Sequence, residues 1–127
     1  MDKLKIENPV IKMPPNRVNQ TLALGKKYKF GTIIGIASSF TGSHTAAVAD
    51  VWSASHSIPV GIITAHEGVD LSGATANTVV LIGAGDAEMD YDVAVKLNPY
   101  LATIPGVMNA KLDQRFTSIQ ITKRKNL

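Results

Sequence analysis

The chain has 127 residues, a net charge of +3, and 45% hydrophobic against 18% charged residues. That balance fits one globular domain with a full core, and the modest charged share leaves room for buried subunit contacts. There is no cysteine, which excludes disulfide frameworks and thiolate metal sites.

Residues 1–16 carry Pro9, Pro14 and Pro15 and read as an irregular arm, because proline removes backbone donors and disfavours helix. Met1-Asp-Lys-Leu-Lys-Ile-Glu has no apolar signal core, and no apolar run is long enough to span a bilayer, so a cytoplasmic protein is expected. Arg17 to Leu24 reads as a short strand, and Gly25-Lys-Lys as a turn. Residues 1–30 are thus expected to be an N-terminal arm with an extra strand, and residues 31–127 a single α/β domain. Gly31 to Ala37 is an apolar strand. The polar loop Ser38-Ser-Phe-Thr-Gly-Ser-His44 follows it. Ser43 is a suitable N-cap for a helix over His44 to Ser55, whose Ala47, Val48, Val51 and Trp52 share a helical face. Pro59 bounds that helix, and Val60 to Ala65 is a third strand. His66 to Asn77 is a polar connection.

Asn77-Thr-Val-Val-Leu-Ile-Gly-Ala-Gly-Asp86 is read as the central element. The unbroken run Val79 to Ile82 predicts a strand covered on both faces. Gly83 and Gly85 predict its end, and Asp86 the N-cap of a helix carrying Met89, Val93 and Leu97. Asn98-Pro99 ends or kinks that helix. Met108 to Leu112 and Thr117 to Thr122 then alternate as half-exposed strands, with an irregularity near Gln114 and Arg115. The order implies a βαββαβ α/β (α+β) sandwich, ferredoxin-like, with a mixed sheet and an N-terminal strand extension.

The chemistry is sparse. Gly83-Ala-Gly-Asp-Ala-Glu88 lacks the third glycine of a dinucleotide loop, and its carboxylates would repel a phosphate. Ser39, Thr41, Gly42, Ser43 and His44 form the better ligand loop, with hydroxyls at an expected helix start and no carboxylate nearby. Simple helix capping explains the same residues. His44, His56 and His66 lack metal-site spacing, so neither a metal nor a cofactor is expected. No nucleophile elbow is present, and no catalytic residue is assigned. The basic clusters Lys3/Lys5, Lys26/Lys27/Lys29 and Lys123/Arg124/Lys125 read as solvated ends and a turn, which argues against a nucleic-acid partner.

Three stretches resemble a known family. They are Ile34-Gly-Ile36 through Ala49-Asp50-Val51 to Val60-Gly61, the core strand into Gly83 with the acidic segment Ala87 to Val95, and Arg115-Phe-Thr-Ser-Ile-Gln-Ile-Thr-Lys123. Together with the weaker Val18-Asn-Gln-Thr-Leu-Ala23, they resemble the bacterial microcompartment (BMC) shell-protein domain. The likeness is to the permuted type of ethanolamine- and propanediol-utilisation compartments. The resemblance implies a structural, non-enzymatic protein of a cytoplasmic microcompartment shell. It would be a homo-oligomer, a flat hexameric tile meeting other shell proteins. A pore would pass small metabolites, with the loop Ser39 to His44 on the axis or along a ligand path. The alternatives are an oligomeric small-molecule-binding or regulatory α/β domain, and a small enzyme using His44 or His66 as acid/base.

Overall fold

The computed structural model of the chain describes residues 8–40, 42, 46–104, 111–114 and 117–123. Its strands are β1 (Val10–Lys12), β2 (Asn16–Leu22), β3 (Lys27–Tyr28), β4 (Ile33–Ile36), β5 (Val48–Val51), β6 (Ile58–Ile62), β7 (Val69–Asp70), β8 (Thr78–Asp90), β9 (Lys111–Gln114) and β10 (Thr117–Thr122). Among the described residues there is one α-helix, α1 (Tyr91–Leu97), followed by a 3-10 turn over Pro99–Thr103.

The strands build two joined units. β2 runs parallel to β5, β5 antiparallel to β4, β4 to β6, and β6 to β8. β8 then pairs antiparallel along the whole of β2, from Asn16 opposite Ala84 to Leu22 opposite Thr78. The path β2-β5-β4-β6-β8 therefore returns to its start and closes as a small barrel, in which no stave keeps a fully unpaired edge. The β6–β8 junction is narrow, a single register pair of Ile62 with Gly83. The second unit is an open sheet on the far half of β8. There β10 runs parallel to β8 from Thr117 opposite Gly85 to Thr122 opposite Asp90, β9 pairs with β10, and β1 covers the other side.

Each unit has its own core. Leu22, Ile34, Ile36, Ala49, Val60 and Ile82 fill the barrel, closed off by Tyr28, Ile63 and Leu71. The second core lies between the barrel wall and the open sheet. Ile33, Trp52 and Ile62 from the wall meet Met89, Ile119 and Ile121 from the sheet, and Ala94 and Leu101 from the helical segment. β4 supplies Ile33 to one core and Ile34 to the other, which is why all its residues are buried. Its apolar sequence signals this double coverage.

β8 is 13 residues long and passes straight through the glycines that were expected to end it. Ile82 and Ala84 face inward in the barrel, whereas Ala87 and Met89 face inward in the open sheet. The buried set thus changes from even to odd positions. Alternation along a strand is strict, so one residue must break the phase. Gly85 does so at φ 96°, a left-handed conformation that other residues adopt only with strain. Asp86 is therefore an exposed strand residue, and Asp90 caps α1 by accepting from the Asp92 N–H.

Three further expectations are corrected. Val48–Val51, placed in a helix over 44–55, is a strand: Ala47 and Ala49 are buried, Val48 is exposed, and Trp52 continues the edge by donating its N–H to the Ile33 carbonyl. Residues 43–45 lie outside the described residues. The βαββαβ sandwich gives way to a strand-rich α+β fold with a mixed sheet and one α-helix among the described residues. Pro59, expected as a boundary, sits inside β6. It lies opposite Gly35, where the register with β4 shifts and a missing N–H is tolerated.

One buried side chain ties the helix to the barrel. Asn98, which follows α1, is fully buried. Its Oδ1 accepts from the Ile33 N–H at 2.7 Å, and its Nδ2 donates to the carbonyls of Gly31 at 3.1 Å and Ala94 at 3.0 Å. Asn98→Ala leaves the Ile33 N–H and the Gly31 carbonyl without these partners inside the fold. The expected cost is about 3 kcal/mol, read as a lower urea midpoint at unchanged slope.

Candidate functional site

The loop read as a ligand site joins β4 to β5 at one end of the barrel. Ser39 and Gly42 are exposed there, while Phe40 turns back against the barrel core. A turn, Phe40 N–H to the Ala37 carbonyl at 3.1 Å, sets that direction. Thr41, Ser43 and His44 lie outside the described residues. Val48–Val51 is a strand, so the α-helix expected to run from His44 through these residues is not formed there. The Gly83 to Glu88 segment is committed to pairing: Gly85 lies opposite Thr117 and Asp86 opposite Ser118. A backbone engaged in a ladder does not cradle a phosphate.

The remaining histidines are apart. His56 Nδ1 lies 3.1 Å from Ser55 Oγ on the surface. The His66 ring lies 4.8 Å from that of Phe30 at the other side of the fold, tilted by 37°. Among the described residues, no three His, Asp or Glu side chains come together as metal ligands. No helix among them is long and apolar enough to cross a membrane.

Two features stand out that residue-by-residue reading did not locate. The first is an aliphatic face on the outside of the barrel. Val79 is 60% exposed, Leu81 54% and Val48 43%. Thr21 of β2 lies opposite both Val79 and Val48, and Asn19 lies opposite Leu81. Residues directly opposite in a ladder share a face, so these five side chains form one continuous uncharged surface across β5, β2 and β8. Arg17, opposite Gly83, lies at one end of this surface. At the other, Lys26 Nζ binds Asp50 Oδ1 at 2.8 Å. The run Val79 to Ile82 was read as covered on both faces, and this is corrected: every second residue of it is bare. The signal available in the sequence was the partner strand, where Asn19 and Thr21 alternate with Gln20 and Leu22.

The second feature is a cleft between α1 and the turn entering β4, with Phe30, His66 and two lysines in its lining. Pro9 forms one wall. Gly31 lets the chain pass there, since at φ 88° a Cβ would lie 2.4 Å from Pro9 Cγ.

Electrostatics at the barrel rim centre on Tyr28. Its phenol donates to the Ala23 carbonyl at 2.6 Å. Burial first, and the Asp50 carboxylate second, raise its pKa well above the ordinary 10.0. Asp70, at the barrel mouth, is shifted the other way. The Ser72 hydroxyl and N–H both donate to it, and Lys27 adds attraction, so its carboxyl stays below the usual range.

The Tyr28 shift has a definite sign. The folded state favours the neutral phenol, so its contribution to stability is full below the unfolded value near 10 and is lost as pH rises beyond it. Tyr28→Phe should cost about 1 kcal/mol at neutral pH, for the lost bond. It should also flatten the fall in urea midpoint over roughly pH 9 to 11.

Comparison with family models, with curated proteins and with solved structures returns no match.

Proposed function

We propose that the protein is a structural subunit that assembles with copies of itself, and that its outer barrel face is the contact. In the finer form, the assembly is a ring-shaped tile of a bacterial microcompartment shell, a hexamer in keeping with the sequence resemblance, and the loop Ser39 to His44 borders a path for small metabolites.

The observation that carries the reading is the surface of Val48, Val79 and Leu81. Three large aliphatic side chains exposed side by side on a rigid strand face are costly to leave in water. Burying the exposed part of each contributes about 1 kcal/mol. The face bears no charge, so two copies can approach without stranding an ion. Its ends carry both signs, Arg17 at one and the Lys26–Asp50 pair at the other, which gives a second copy oriented polar partners. A face on paired staves is also pre-ordered, so association loses little backbone entropy.

Leu81→Lys tests it. Leu81 is half exposed, so the substitution should change the thermal midpoint little while placing a charge in the contact. Sedimentation velocity should show wild type as an oligomer and Leu81→Lys shifted to monomer, and electron microscopy should show flat or curved arrays for wild type alone. A wild type that stays monomeric at high concentration would refute the reading. So would an oligomer that Leu81→Lys and Val79→Lys both leave intact.

A further inference from the structure

The cleft beside α1 lies away from the aliphatic face and belongs to none of the residues used above for assembly. Its volume is about 320 Å³, at the small end of the range for ligand pockets. Its walls are Pro9, Phe30, Val93 and Leu97, and its polar side chains are Lys29, His66 and Lys96. We propose that this cleft binds a small organic anion, an apolar or aromatic body bearing one carboxylate or phosphate.

The composition of the lining supports this. Among the described residues, the ionisable groups that line it are all of the basic types, so an anion entering it meets attraction. The basic groups come from three separate places in the chain: the residue after β3, the connection after β6, and the last turn of α1. Their convergence is a product of the tertiary fold, since helical neighbours would come from one element. Lys96 lies in the last turn of α1, where the helix dipole favours a cation. Phe30 and His66 meet ring to ring at 4.8 Å, tilted by 37°, which makes one continuous aromatic wall. A planar body can lie along that wall while Lys29 and His66 reach its charged end.

The site is also held in shape. Gly31, with Pro9 filling the space where a side chain would stand, lets the arm and the turn approach closely. The Asn98 side chain fixes the end of α1 to the residues on either side of Thr32. A cleft with little to order on binding retains more of its contact energy as affinity.

The test uses the full chain and three probes: phenyl phosphate, benzoate, and benzyl alcohol as the neutral analogue. Backbone amide shifts on titration should move at Lys29 to Gly31, at His66, and at Val93 to Leu97. Phenyl phosphate or benzoate should bind at least about tenfold tighter than benzyl alcohol, the increment of a charge-assisted contact. The tighter of the two assigns the head group as phosphate or carboxylate. Lys29→Met, at an exposed position, should lower anion affinity about tenfold, and Val93→Trp should fill the cleft and abolish binding. Three results would overturn the proposal: neither anion binding, benzyl alcohol binding as well as the anions, or shifts that map elsewhere and survive both substitutions. Repeating the titration on Leu81→Lys separates this site from the assembly reading, because the cleft should bind in monomer and oligomer alike.

Discussion

A single strand carries two cores, and it does so through one residue. β8 closes the barrel against β2 and β6 with its first half, then forms the spine of the open sheet with β1 and β10. A strand of fixed alternation would bury its apolar residues on one unit and expose them on the other. The left-handed turn of the backbone at Gly85 resets the phase, so Ile82 and Met89 are both buried although they differ in parity. The barrel, the open sheet and the placement of α1 all follow from that change.

The polar interior is small and concentrated at joints. Gln20 donates to the Ala47 carbonyl at 2.9 Å inside the barrel, where β2 and the approach to β5 meet. Asn98 does the same for the helix end and β4. Gln20 binds a carbonyl just ahead of β5, and Asn98 binds the N–H that opens β4 and the Gly31 carbonyl ahead of it. The Asn98 amide is satisfied at both ends, with one bond accepted and two donated. Half-buried Thr122 donates to Glu88 at 2.6 Å and, at the surface, Lys123 binds Asp92 at 2.6 Å, and both fasten β10 to neighbouring segments. Exposed pairs of this kind contribute little to stability and more to orientation.

Much of the strand content was legible. The aliphatic run at Ile33–Ile36, the alternation of Thr117–Thr122 and the stop at Asn98-Pro99 all appear where side-chain pattern placed them. The helix over 44–55 misled because Ala47, Val48, Val51 and Trp52 fit a helical face as well as a short strand followed by a bend. Gly83 and Gly85 misled for a different reason. A glycine marks unusual backbone, and whether that backbone ends a strand or re-aims it depends on the partners at its sides, here Pro14 and Thr64 near Gly83 and Pro15 near Gly85. Neither candidate surface lies in one stretch of sequence, although the alternation of β2 marks the bare side of the barrel. Residues 48, 79 and 81 share a face because the barrel closes, and 29, 66 and 96 line a cleft because α1 lies beside the turn into β4. Pairing of that range leaves no local periodicity.

The seam of the barrel joins residues 16–22 to residues 78–84. Chain closure over such a separation costs entropy before any ladder bond repays it, and topologies dominated by distant pairing fold slowly. During synthesis, β2 must wait for its partner until β8 has left the ribosome. Until then its polar stave face and its bare hydrogen-bonding edge stay open to any other extended chain. Folding therefore passes through a window in which premature strand exchange between nascent copies competes with closure of the barrel.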